Sequence, residues 1–468
     1  LFADLLRQRL QRERGDLVPE LHQRASAWYR ENGLIPEAVN HALAASDLTQ
    51  AAELIAQTAW AMLMRGEVSI LLRWMHALPD AEVCSHVKLA MLRDWLLANM
   101  GQLDDADSCL SNIRGAYGRG EMAAVRGYIA HHRQEPVEAI ERCQEALELL
   151  PEEQWFSRGA AAVTLGTALL RRGDPVAASQ AMSKGVAIGR AASQTYMTMI
   201  ATTGLGEAQE MRGHLGQAVQ TYQAALQLTS EYSSEPMPFA GMAYVGLAGP
   251  LYERNELDSA KQCVTTGIEL SKQARNIDTT QDGYASLALL HQALGNPDEA
   301  FEAIRQVEEL AKKSGDSNWL ATAHAFQSQW WLQRGDIETA ARCAQASRLY
   351  AHDEADFVRE LAEIAAARVL VTRASSPAAT DPDQADQALT SLAGLLRAAE
   401  EAKRMGSAIN ILALQAWAYQ AQGDTDRALS ALGRALALAE PEGYVRTFVD
   451  EGEPMARLLY QAATRGIA

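Results

Sequence analysis

Residues Thr203 to Leu228 read TGLGEAQEMRGHLGQAVQTYQAALQL. Leu205 and Gly206 stand eight and seven residues before the glycine Gly213, with Gln209 between; Ala218 follows five residues after it, Tyr222 nine after, and then Ala225. That spacing describes two helices joined at a glycine turn. A small residue in the first helix lets the second approach, and the second turns alanine and an aromatic ring inward.

The pattern recurs in phase. A turn residue with an alanine five positions later stands at Gly101 and Ala106, Gln134 and Ala139, Gly173 and Ala178, and Gly213 and Ala218. It returns at Asn255 and Ala260, Gly295 and Ala300, Gly335 and Ala340, and Gly423 and Ala428, with a weaker copy at Asp383 and Ala388. Before the turn stand Leu165, Leu205, Leu247 and Leu287, each followed by Gly or Ala; nine after it stand Cys143, Met182, Tyr222, Val264, Ile304, Ala344 and Leu432. Unrelated amphipathic helices that happen to contain glycine would not keep several positions in step. Turns are roughly 33 to 48 residues apart and mostly about 40, longer than the tetratricopeptide (TPR) period of about 34, so longer helices are implied.

The pattern predicts an all-α chain: a right-handed superhelical solenoid of TPR-like hairpins with a period of about 40. One such hairpin cannot bury its apolar face alone, whereas a stack buries a continuous core and leaves a concave surface.

The 468 residues are 48% hydrophobic and 22% charged, the balance of a folded chain rather than a disordered one. A formal charge of −17 argues against gripping a nucleic-acid backbone, which needs clustered Lys and Arg. No run of about 18 apolar residues and no leader pattern is found, so a cytoplasmic protein without membrane contact is expected. The chain starts at Leu1 inside an amphipathic pattern, which reads as a piece of something longer. The five cysteines, Cys84, Cys109, Cys143, Cys263 and Cys343, form no C-x-x-C pair. Four of them fall eight or nine residues after a turn position, so all five are expected to be reduced and buried.

Residues 1–45 stand outside the repeat. Leu21, His22, Ala25, Ala27, Trp28, Tyr29, Gly33, Glu37, Ala38 and the run His41-Ala42-Leu43-Ala44-Ala45 with Asp47 form one motif. It resembles the end of the winged-helix segment behind the nucleotide-binding module of MalT-like, LuxR-type transcription regulators of the signal-transducing ATPase (STAND) class. Ser46 departs from the glycine usual there. The helices after Asp47, with Trp74 and Leu78-Pro79, resemble the first hairpin of the family's sensor arm. Near the other end Glu440, Pro441, Gly443, Tyr444, Phe448, Asp450, Gly452 and Met455 resemble the stretch before the family's DNA-binding helix-turn-helix.

The resemblance implies three parts: 1–45, the end of the winged-helix-like linker; 46–438, a TPR-like superhelical sensor domain with a flexible insertion at 374–384; and 439–468, leading toward a helix-turn-helix. It also implies that ATP or ADP belongs to a module upstream of Leu1, that this segment needs no cofactor, and that DNA is met only through the helix-turn-helix.

No phosphate loop, H-E-x-x-H, paired C-x-x-C or G-x-S-x-G is present, so no enzyme activity and no metal site is expected. His131 and His132 are adjacent on a helix and point about 100° apart, which suits an exposed pair near a turn better than a shared ion. The glycine-rich GLGE at Gly204–Glu207 has no strand before it, and close helix packing explains it better than a nucleotide loop.

What remains is the concave wall. Residues two, three, six, ten and thirteen before the turn generally face a TPR groove. Here they are Tyr128 and His131; Thr167 and Arg171; Thr203, Glu207 and Glu210; Tyr252 and Glu253; Asp282 and Gln292; Gln329 and Gln333; and Asn410 and Trp417. Carboxylates and amides among rings suit the hydroxyls or amines of a polar organic ligand. By resemblance, the chain is expected to sense a small-molecule inducer and thereby control oligomerisation and promoter activation of the regulator, against its own ATPase domain. The alternative is a scaffold on which regulatory proteins hold the regulator inactive.

Overall fold

The structure, a computed structural model, describes residues 9–10, 12–64, 67–99, 118–230, 236–351, 357–376 and 383–466. Among these every regular element is a helix. Ahead of the array stand α1 (Val18–Glu31), α2 (Ile35–Ala44), α3 (Leu48–Met64), α4 (Val68–Ala77), α5 (Asp80–Ser85) and α6 (Val87–Asn99). Trp74 of α4 anchors them: it is buried and its indole N–H donates to Asn40 Oδ1 at 2.9 Å. Of the Trp28-Tyr29 pair, Tyr29 stacks on His41 while Trp28 stays exposed.

The array follows in hairpins of a first and a second helix. They are α7 (Arg119–His132) with α8 (Pro136–Leu149), α9 (Trp155–Arg171) with α10 (Pro175–Ala191), α11 (Thr195–Met211) with α12 (Leu215–Ser230), and α13 (Gly241–Glu253) with α14 (Leu257–Gln273). Then come α15 (Ile277–Ala293) with α16 (Pro297–Ser314), α17 (Ser317–Gln333) with α18 (Ile337–Tyr350), α19 (Phe357–Ala374) with α20 (Asp383–Glu401), and α21 (Met405–Ala421) with α22 (Thr425–Ala439). The short α23 (Arg446–Val449) and α24 (Glu453–Thr464) close the chain. The turn at Gly101 with Ala106 falls outside the described residues, as do 377–382 of the expected insertion.

The turns explain themselves. Gln134, Gly173, Gly213, Asn255, Gly295, Gly335 and Gly423 all take positive φ, the left-handed cap that ends a helix. After Gly173, Gly335 and Gly423 comes an aspartate, and Asp174, Asp336 and Asp424 each accept a backbone N–H three residues on at 3.0–3.1 Å, capping the second helix. The phased alanines Ala139, Ala178, Ala218, Ala260, Ala300, Ala340, Ala388 and Ala428 have no exposed surface, as contact between paired helices requires.

Two second-helix side chains lock their hairpins to the next. Met182 lies against Gly166 of its own first helix and Gly204 of the following one; Tyr222 lies likewise against Gly206 and Gly246. A Cβ on Gly166 would come within 2.6 Å of Met182 Cε, and one on Gly206 within 2.8 Å of the Tyr222 ring. Helix packing therefore accounts for GLGE.

Stacking carries the superhelix back onto itself. Arg404 Nη1, just ahead of α21, donates to Gly173 O at 2.9 Å across 231 residues, and its guanidinium pairs at 2.6 Å with Glu360, both side chains nearly buried. The backbone at Met405 and Gly406 meets the Gly213 turn. At the cysteines the expectation needs correcting. Cys84 is disulfide-bonded, and Cys263 and Cys343, eight residues after their turns where the buried Cys143 stands nine, are only half-buried. Cys143 is free and buried, its thiol pushed up to about 12 by burial; Cys109 lies outside the described residues.

Two glycine substitutions should part in sign. Gly206→Ala meets the buried Tyr222 ring and is expected to cost about 1–3 kcal/mol in denaturant unfolding. Gly394→Ala, in α20 with open space around it, is expected to add about 0.5–1 kcal/mol.

Candidate functional site

The first helices form the inner wall. Arg171 at the end of α9 lies near enough to His131 and His132 of α7, Glu207 of α11, and Asp278 and Asp282 of α15 to shift the titration of each. It pairs with none of them, and its Nη1 is buried without a hydrogen-bond partner. Glu207 and Asp282 are exposed at their surface yet surrounded by protein at longer range, as expected for side chains opening into a lumen. His131 Nδ1 and Gln292 Nε2 are likewise buried without partners.

Electrostatics follow from that enclosure. Burial raises the carboxyls of Glu207, Asp278 and Asp282, with Arg171 opposing. Glu210 goes furthest among those with a value, to about 8, through burial first and then the charges of Glu207 and Glu253; the Tyr222 hydroxyl opposes. The expectation of an exposed histidine pair is corrected. His131 and His132 are turned into the wall, His132 edge-on to the Tyr128 ring at 4.5 Å, and burial followed by Arg171 lowers His132 to about 3. Both are neutral at physiological pH. No group of three His, Cys, Asp or Glu side chains among the described residues is arranged to hold a metal.

The remaining predicted wall residues divide. Thr167 folds its hydroxyl onto Val163 O and Thr164 O, and Thr203 turns toward Met199 Sδ. Tyr128 and Trp417 are buried in the packing, and Asn410 accepts from Arg368. Gln329 is half-buried and Gln333 exposed on α17.

Tyr252 and Glu253 meet the chain's own C-terminal segment. Val445 N donates to Glu253 O at 2.8 Å; Thr447 N and Oγ1 donate to Glu253 Oε2 at 3.1 and 2.8 Å; Tyr252 Oη donates to Asp450 Oδ2 at 2.5 Å. Arg446 pairs with Asp450, and Glu442 receives Gly216 N at 3.1 Å and faces His214 Nδ1 at 3.3 Å. Glu253 is raised to about 7, burial outweighing the Thr447 hydrogen bonds.

Sequence reasoning missed Asp278, although it stands one helical turn before Asp282 on the same face, a readable signal. It could not find the Glu253 to Thr447 contact, which spans 194 residues.

Hairpins of this kind, stacked into a superhelix with a polar inner wall, define a TPR solenoid, a binding scaffold rather than a catalytic fold. The MalT-like TPR region family model matches residues 120–465, most of the chain, and the chain belongs to that family. It is 26% identical over 473 residues to the HTH-type transcriptional regulator MalT of Cronobacter sakazakii, covering 98% of this chain and 51% of that protein. The chain thus spans about half the length of that relative. Among solved structures, a Rap protein complexed with competence and sporulation factor superposes with a TM-score of 0.57 at 10% identity, over 78% of this chain and 99% of that one. A STAND protein with a TPR sensor from Pyrococcus horikoshii gives 0.45 at 12% identity, over 71% and 52%. No helix among the described residues is long and apolar enough to cross a membrane.

The raised carboxyls set a pH dependence of stability. Unfolded Glu210 and Glu253 ionise near 4.5 but hold their protons to about 8 and about 7 when folded, so the folded state binds more protons and stability falls as pH rises through that window. Below about 6.5 the buried neutral histidines work the opposite way, since the unfolded chain protonates them. Denaturation midpoints are therefore expected to fall from about pH 6.5 to 8, by at most ~1.4 kcal/mol per pH unit for each carboxyl, and Glu210→Gln is expected to flatten the fall.

Proposed function

We propose that this chain is the effector-sensing arm of an ATP-dependent, LuxR-type transcription regulator, and that a small polar inducer binds in the lumen around Arg171, Glu207, Asp278 and Asp282. The observation that carries the reading is an arginine and three carboxylates facing one another in an enclosed space with no direct pairing. Arg171 Nη1, buried without a partner, is costly to leave so, and a ligand with an acceptor for it and hydroxyls or amines for the unpaired carboxylates would satisfy the group. Bound inducer would favour one arrangement of the arm against the ATPase, and so control oligomerisation and promoter activation. It shifts that balance only by its differential affinity for the two arrangements, about 2.7 kcal/mol for a hundredfold change. In this reading the protein is cytoplasmic, and ATP or ADP and promoter DNA are held by other modules of the regulator.

A second reading, a surface for regulatory proteins, draws support from the fold shared with a Rap protein that was solved with competence and sporulation factor bound. Thermal unfolding separates the two. Against sugars, organic acids, amines, aromatic compounds and acyl metabolites, an inducer at a hundredfold excess over Kd should add about 2.7 kcal/mol. The shift is expected to vanish in Glu207→Gln and Arg171→Met and to survive in Gln333→Ala. A flat panel, with a regulatory protein binding instead, overturns the inducer reading.

A further inference from the structure

The acids of the inner wall outnumber the cation set among them. On α11, Glu207 and Glu210 stand three residues apart, and on α15, Asp278 and Asp282 stand four apart, so each pair lies along one face of its helix. Two wall acids are already served, Glu210 by the Tyr222 hydroxyl and Glu253 by Thr447. Glu207, Asp278 and Asp282 are left facing Arg171 without pairing to it, and the exposed Glu207 and Asp282 open into the lumen.

We infer that the ligand of this lumen carries a primary ammonium group, seated among Glu207, Asp278 and Asp282, together with an oxygen acceptor that meets Arg171. This is the chemical class of the inducer proposed above, and it stands only if the lumen is the inducer's site.

Charge decides between ligand classes. Arg171 offsets one of the three carboxylates, so ionised they leave an excess of two negative charges; Asp316, which caps α17, adds to it beside Asp278, while the neutral His131 and His132 add nothing. An anion would deepen that excess. A neutral polyol can bond to the carboxylate oxygens but leaves the charge in an enclosed space, where it is costly. An ammonium ion brings positive charge and three N–H donors, one for each carboxylate. Its presence also favours their ionised forms against the burial that raises all three. At the other end, Arg171 Nη1 is buried without a partner and calls for an oxygen acceptor.

Isothermal titration of the full chain at neutral pH, with probes that differ only in an amine replaced by a hydroxyl, tests the ammonium seat. The pairs are glucosamine against glucose, alaninamide against lactamide, and ethanolamine against ethylene glycol; each partner keeps an oxygen acceptor. The amine of at least one pair is expected to bind about tenfold tighter than its partner or more, and the pair that shows it tells an amino sugar from an amino-acid derivative or an amino alcohol. That advantage is expected to disappear when Asp278→Asn and Asp282→Asn are combined, with Glu207→Gln taking their place should the combined variant melt early without probe. Equal binding within every pair, or an advantage that survives these variants, overturns the ammonium. A neutral compound or an anion that stabilises the protein in the thermal panel through Glu207 and Arg171 overturns the ammonium and leaves the sensing function standing, whereas a flat panel overturns both.

Discussion

Everything in this molecule depends on how closely one hairpin can approach the next. Met182 and Tyr222 each stand between a glycine of their own hairpin and a glycine of the one that follows, with no room for a methyl group. Because interiors are packed as tightly as organic crystals, that contact fixes the rotation from hairpin to hairpin rather than merely permitting it. A fixed rotation, repeated, brings Arg404 back to Gly173 after 231 residues. The lumen is the space that this return encloses.

Enclosure changes what ordinary side chains do. On an open solenoid face, Glu207, Glu210 and Asp282 would be solvated carboxylates of no chemical interest. Surrounded by protein, they are held toward the protonated form and Arg171 is left short of a partner. The overall charge of −17 gives no hint of this, because the effect comes from the placement of a few groups and not from the total. Buried ion pairs show the opposite arrangement at the seams: Arg404 with Glu360 and Arg368 with Glu451 are matched one to one where distant parts of the chain meet. Such pairs add little net stability but punish mispairing, which suits a closure that must find one register.

The hairpins were legible because their causes are local. A left-handed cap and an alanine five residues on are decided within a dozen residues; the turns at Gln134, Gly173, Gly213, Asn255, Gly295, Gly335 and Gly423 stand where the spacing placed them, whereas Asp383 opens α20 instead of ending a helix. The inner wall was legible in part, since Arg171, Glu207, Glu210 and Asp282 follow from the helical period alone. Asp278 escaped because it lies in the first turn of its helix, outside the positions counted back from the glycine. His131 and His132 were misjudged as exposed because adjacency to a turn was weighed and the neighbouring Tyr128 and Arg171 were not. The meeting of Glu253 with Thr447 depends on the accumulated rotation of every intervening hairpin, which no local pattern carries.

The return of the chain onto itself also bears on how the molecule assembles. A linear stack has only neighbour contacts and can form from any starting hairpin, so its folding is local and fast in character. The bonds from Arg404 to Gly173 and from Thr447 to Glu253 join residues far apart in sequence, but by the time they can form, the stack has already brought their ends together. Their loop-closure cost is then met by the stacking and not by the bonds themselves. Closure of this kind is therefore expected to form after the hairpins it joins and to open before them.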